Sequence, residues 1–184
     1  MKFDEQCNHA ASSANRTLGM IRRSITCKSK KIIVQLYKGL VRPKLEYCIQ
    51  AWRPHLNKDI QKLEAVQHRA TKMIEGCWNL SYEERLKYTA LPTLDSRRDR
   101  GDMIEVYKFL NGFNKVNCSQ FFHKARYSNT RGHQFKLEKG RSRLDVRKYS
   151  FSQRIVNRWN ALPAGVVAAT SINNFKNRYD RYIK

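Results

Sequence analysis

Polymerases and many nucleases hold divalent metal between two or more converging carboxylates. The aspartates are Asp4, Asp59, Asp95, Asp99, Asp102, Asp145 and Asp180, and no two are adjacent. The densest grouping, Asp95/Asp99/Asp102, falls at helical spacing among Arg97, Arg98 and Arg100. It reads as a surface lattice of ion pairs rather than a metal site. Cys118, His123 and His133 lack the Cys-x-x-Cys partner that a zinc knuckle needs. No signature supports a Cys-His nucleophilic pair, and the glycines form no phosphate-cradling loop. Arg100-Gly101-Asp102 spells an integrin triplet, but inside a predicted helix. The reading is a chain with no catalytic residues, no metal, no cofactor and no small-molecule ligand.

Positive charge is what the sequence does offer. Against 37 Lys and Arg stand 15 Asp and Glu, a net charge of +22 on 184 residues. Such a surface repels itself unless a polyanion neutralises it, which is the usual footprint of DNA or RNA contact. An inert basic surface or attraction to anionic lipid are the blander readings. The charge is uneven: residues 1–59 hold 12 basic and 4 acidic residues (+8), residues 60–125 hold 11 and 8 (+3), and residues 126–184 hold 14 and 3 (+11). The two ends therefore carry the candidate nucleic-acid contacts. At the first end these are Arg16, Arg22, Arg23, Lys30, Lys31 and Lys38. At the second they are Arg131, Lys136, Arg141, Arg143, Arg147 and Lys148. Arg85 and Lys87, beside Glu83 and Glu84, are expected to be offset by those carboxylates. Trp52, Trp78 and Trp159 read as core rather than base-stacking platforms. Tyr127 and Tyr149, which flank the basic hairpin off any apolar stripe, are the exceptions.

The elements that must carry these groups are mainly helical. Cys7, Ala11, Ala14, Leu18, Ile21 and Ile25 make one apolar stripe over 4–25. Ile33, Leu36, Tyr37 and Leu40 repeat it until Pro43, where a stop or kink is expected. Leu45, Cys48, Ile49 and Trp52 predict a short third helix. A longer one starts near Asn57, with Ile60, Leu63, Val66, Gln67, Ala70, Met73 and Ile74 on one side and Gly76 as C-cap. Ser81-Tyr82-Glu83-Glu84 is a capping box, and a further helix runs from Leu94 to Leu110, closed by Gly112. Phe121 and Phe122 sit in a short helix or turn, followed by a loop from Arg126 to Gly132.

Beyond Asn114 the texture changes. Phe135/Leu137 and Leu144/Val146 alternate with charge around Glu138 to Ser142, predicting a β-hairpin whose apolar face holds Leu144 and Val146 to the core. Helices Phe151–Leu162 and Ser171–Ile183 follow, with Phe175, Tyr179 and Tyr182 inward. The fold class is mainly α: a helical bundle over 1–113, then a basic α+β extension over 114–184 with one hairpin and two helices. Five cysteines, each at least twenty residues from the next, fit reduced thiols. No apolar run approaches the ~20 residues of a membrane helix, and the first residues lack the hydrophobic core of a signal peptide. An intracellular chain, nuclear or cytoplasmic and not secreted, is expected.

Several ordered segments also resemble a known family. Leu40-Val41-Arg42-Pro43-Lys44-Leu45-Glu46-Tyr47-Cys48 and Leu63-Glu64-Ala65-Val66-Gln67-His68-Arg69-Ala70-Thr71-Lys72-Met73-Ile74 resemble the region after the polymerase palm in LINE-type (non-LTR) retrotransposon reverse transcriptases. The jockey-like and chicken-repeat-like clades are most similar. Ser81 to Leu86, Arg97 to Lys108, Arg143 to Arg147 and Phe151 to Pro163 are similar to the rest of that region. Asn15 to Arg23 resembles the helix entering the thumb. The likeness covers nearly the whole chain, yet fingers, palm and endonuclease are missing from it. It implies a thumb-like domain plus C-terminal extension, gripping an RNA or DNA duplex or hybrid by its backbone, with a separate palm fragment as a further partner. A protein–protein or chromatin adaptor that kept the fold, and a truncated retroelement product without function, are the alternatives it leaves open.

Overall fold

The first apolar stripe forms helix α1 (Asp4–Ser24), which buries Cys7, Ala10, Ala11, Ala14, Leu18 and Ile21. The computed structural model describes residues 3–115, 117–125 and 132–183. The chain is mainly helical and divides into two units, Met1–Arg98 and Asp99–Lys184. The change of texture at Asn114 lies inside the second. Among the described residues no helix is long and apolar enough to cross a membrane.

In the first unit, α2 (Lys30–Leu36) runs into a π-helical turn (Tyr37–Val41) and then α3 (Arg42–Glu46). Pro43 has no N–H and would clash with an ordinary helical turn. The wider π-turn lets the chain continue past it, where a stop or kink was the expectation. The third helix predicted around Leu45 to Trp52 forms only as far as Glu46. Cys48 then takes a left-handed conformation (φ +54°), and its carbonyl accepts from the Ala51 and Trp52 amides. Leu45, Ile49 and Trp52 are still buried.

Helix α4 (Asn57–Lys72) packs Leu63, Val66 and Ala70 into the same core as α1. It ends at Lys72, so Gly76 (φ +77°) serves the following turn rather than capping the helix. The capping box opens α5 (Tyr82–Thr89) as expected. The Glu84 amide donates to Ser81 Oγ at 3.3 Å, and the Ser81 amide donates to Glu84 Oε2 at 2.7 Å.

The unit boundary falls within α6 (Leu94–Leu110). The second unit builds its core from Met103, Val106 and Tyr107 of α6 with Phe122, Leu137, Trp159 and Phe175. Of the predicted last two helices, Phe151–Leu162 appears as α8 (Phe151–Arg154) and α9 (Val156–Asn160) and Ser171–Ile183 as α11 (Ile172–Tyr182), with an unpredicted short α10 (Ala164–Val167) between them. The Asn174 amide donates to Ser171 Oγ at 3.1 Å, capping α11. Tyr182, expected inward, is exposed.

The β-hairpin does not form. Among the described residues there is no strand, only one isolated antiparallel bridge, Lys124 with Leu137. The reason is visible in the hydrogen bonds. Asn160 Nδ2 donates to the Leu137 carbonyl at 2.9 Å and Asn160 Oδ1 accepts from the Leu137 amide at 2.8 Å. Trp159 Nε1 donates to the Phe135 carbonyl at 2.7 Å. These side chains occupy backbone groups that a partner strand would have used. Segment 143–148 turns instead into α7 (Asp145–Lys148), with Leu144 72% and Val146 54% exposed. Neither residue anchors it to the core.

The thiols separate by burial. Cys7 and Cys77 are buried, while Cys27 and Cys48 are exposed. Burial, with the nearby Asp59 carboxylate adding to it, pushes the Cys7 thiol up to about 11. Thiolate is the reactive form. Maleimide labelling of the native chain should therefore modify Cys27 and Cys48 first, and Cys7 and Cys77 only after denaturant is added. Mass spectrometry of quenched time points reads this directly, and early modification of Cys7 would contradict the α1 packing.

Candidate nucleic-acid interface

Helices α1 and α4 lie side by side and run in the same direction. Near their first turns Lys62 Nζ donates to Asp4 Oδ1 at 2.9 Å and to Asn8 Oδ1 at 2.6 Å. This pairing holds the Lys62 ammonium up and the Asp4 carboxyl down from their ordinary values. At the other end, Leu18 and Arg22 line one groove together with Arg69 and Met73. The alanines of α1 leave room for close approach of the two helices.

That groove, of about 660 Å³, is lined by Asn15, Leu18, Gly19, Arg22, Lys28, Arg69, Lys72 and Met73. Four are cations and none is acidic. Lys28 is held in place because its carbonyl accepts from the Glu75 amide at 3.0 Å. A shallower groove beside it is lined by Ser12, Asn15, Arg16, Gly19 and Arg23. Asn15 and Gly19 belong to both. An added Cβ at Gly19 would meet nothing within 4 Å, so no packing contact demands a glycine in mid-helix, where it costs about 1 kcal/mol.

The electrostatics favour an anion. Both helices end here, and each C-terminus contributes roughly −0.5 charge. Four cations outweigh that about fourfold. The neighbouring His68 imidazole is pushed down first by burial, then by the Arg85 guanidinium, with Lys72 and Arg69 of the groove adding to it. Arg16, Arg22, Arg23, Lys28, Arg69 and Lys72 make no ion pair with a described residue.

Of the sequence-predicted contacts, the fold brings Arg16, Arg22 and Arg23 together around Gly19. Lys30 and Lys31 open α2 and Lys38 sits in the π-turn; all three are exposed, but none lines either groove. Lys30 Nζ instead lies 4.4 Å over the Tyr88 ring. In the second unit Arg141, Arg143, Arg147 and Lys148 are exposed along the segment entering and forming α7, and Lys136 is half-buried. Arg131, Tyr127 and the Arg126–Arg131 part of the predicted loop lie outside the described residues. Tyr149 is half-buried, with Lys148 Nζ 5.4 Å from its ring. Lys28, Arg69 and Lys72 were missed. Their one signal is that Arg69 and Lys72 stand three apart on the polar side of α4.

Arg85, expected at the surface and balanced by Glu83 and Glu84, is buried instead. Its guanidinium bonds the Leu80 carbonyl, Thr71 Oγ1 at 3.2 Å and His68 Nε2 at 2.9 Å. The Asp95/Asp99/Asp102 grouping is an ion-pair set, but with distant partners and not all at the surface. Asp95 pairs with Arg53 at 2.7 Å, Asp99 with Arg158, and Asp102 with Arg154 at 3.0 Å. Asp102 is fully buried. Among the described residues no three His, Cys, Asp or Glu side chains gather as a metal-binding set. Comparisons with family models, curated proteins and solved structures gave no match.

Proposed function

We propose that the chain is a nucleic-acid-binding module without a catalytic centre of its own, and that its α1/α4 grooves grip the phosphate backbone of RNA or DNA. The observation that carries this reading is the convergence around Gly19 of six cations that have no ion-pair partner among the described residues. Backbone contacts of this kind position a duplex without reading its sequence, and an A-form duplex offers phosphates and shape rather than an open major groove. The bare helix backbone at Gly19 leaves space for a sugar–phosphate chain to lie close. The basic segment Arg141–Lys148 of the second unit offers a further phosphate-binding surface.

The motif likeness to retrotransposon reverse transcriptases supports an origin as a thumb plus C-terminal extension. Asn15 to Arg23, the segment resembling the thumb-entry helix, is the one that lines both grooves. A separate palm fragment would then be a partner, and an adaptor role would use the same fold without the phosphates.

Salt dependence tests the reading. Six neutralised phosphates give a slope of log K against log salt of about −5, a loss of roughly a thousandfold between about 50 and about 200 mM. Fluorescence anisotropy with a labelled duplex and an RNA–DNA hybrid measures it. Affinity that stayed flat across that range would reject a phosphate-dominated surface and favour the adaptor.

A further inference from the structure

We propose that Trp78 is a stacking platform for an unpaired nucleobase of the strand whose phosphates occupy the adjoining groove, an inference that rests on the nucleic-acid reading above. Trp78 is 66% exposed, where the sequence pattern predicts a core tryptophan. Among the described residues its indole has no hydrogen-bond, ring-stacking or cation–π partner. An indole left in water forfeits one of the largest burial gains available to any side chain. Packing within this unit does not account for its place.

The turn that carries Trp78 is fixed on both sides. Cys77 is buried, and its carbonyl accepts from the Leu80 amide at 3.3 Å across the turn. The Leu80 carbonyl is in turn held by the buried Arg85 guanidinium. On the other side the Cys77 amide donates to the Ile74 carbonyl at 3.0 Å, and the Glu75 amide to Lys28. The ring is thus displayed from a preset backbone, which lowers the ordering cost of binding.

The same loop begins at the groove. Met73 and Lys28 line it, Glu75 is bonded to Lys28, and Trp78 follows three residues later. A second exposed ring, Tyr88 on α5, lies under Lys30, two residues beyond Lys28. Cations beside solvent-exposed rings fit a polyanion that also presents flat aromatic faces. Nucleic acid is that ligand, and its bases reach a protein ring only where they are unpaired. An anionic bilayer also pairs charge with tryptophan. It fits less well, because the cations line a concave groove and the apolar contribution is single rings rather than an amphipathic face.

Tryptophan emission tests this on the full chain. Trp52 and Trp159 are buried, so the red edge of the spectrum reports Trp78. The titrants are a short oligothymidylate, an abasic strand of equal length, a blunt duplex, and phosphatidylserine vesicles, all at low salt. Oligothymidylate should quench the red edge and bind about tenfold more tightly than the abasic strand. Trp78→Ala, read by fluorescence anisotropy of the same strands carrying a label, should abolish that preference while leaving abasic and duplex affinity unchanged. Equal affinity for the two strands, or a preference that survives Trp78→Ala, would overturn the stacking role alone. A blue shift with vesicles and no response to oligothymidylate would assign the ring to a membrane and overturn it too. Failure of every nucleic acid to bind would remove the underlying nucleic-acid reading.

Discussion

Replacing Arg22, Lys28, Arg69 and Lys72 together by glutamine is expected to cost about three orders of magnitude in duplex or hybrid affinity at about 100 mM salt. Each phosphate contact adds roughly 0.9 to the salt slope, so relative to 1 M salt each contributes a factor of about eight at 0.1 M. Four such contacts multiply to a few thousand. The slope should flatten by about four. The fold should survive, because none of the four is buried and none makes an ion pair with a described residue. The helix-end attraction that is lost is worth about 0.3–1 kcal/mol per cation. Replacing Arg141, Arg143, Arg147 and Lys148 is expected to cost much less. They line neither groove, and Asp145 sits among them. Anisotropy titrations of both variants, with circular dichroism as the folding control, decide the matter. A larger loss from the second set would move the principal site to the second unit.

What the sequence made legible was local. The α1 stripe and the capping box at Ser81 depend on residues three and four apart, which fold together wherever the helix lies. What it hid depended on distant partners. Phe135 and Leu137 alternate as a strand should, but their backbone groups are claimed by Trp159 and Asn160, some two dozen residues on. Pro43 looked like a helix stop because the π-turn that accommodates it leaves no mark in the apolar spacing. Arg85 looked like a surface cation because its partners, Thr71 and His68, belong to another helix.

The candidate site divides the same way. Arg16, Arg22 and Arg23 could be read from α1 alone. Their convergence with Arg69 and Lys72 follows from the α1/α4 pairing, which the Lys62 bonds to Asp4 and Asn8 register at the opposite end. The ordinary behaviour of tryptophan predicts Trp78 in the core. Only the pinned turn after α4 sets it outside.

Asp102→Ala should destabilise the second unit by about 3–5 kcal/mol, the usual cost of leaving one member of a buried ion pair uncompensated. Asp102 accepts from Arg154 through both oxygens, Oδ2 from Nε and Oδ1 from Nη2, each at 3.0 Å. Its side chain is 1% exposed and that of Arg154 11%. Removing the carboxylate takes the opposite charge from a guanidinium that water reaches poorly, although its Nη1 still donates to the Tyr149 carbonyl at 3.3 Å. Asp180→Asn is the contrast. Asp180 also receives two hydrogen bonds, from Arg100, but with side-chain exposures of 40% and 29%. Solvent screening there limits the loss to about 0–1 kcal/mol. Denaturant unfolding followed by emission from the buried Trp159 measures both. The mechanism also specifies a rescue. Asp102→Leu combined with Arg154→Met removes both charges, and should recover most of the stability lost in Asp102→Ala. If the double variant were no more stable than the single one, the loss would come from packing around α6 and not from a stranded charge.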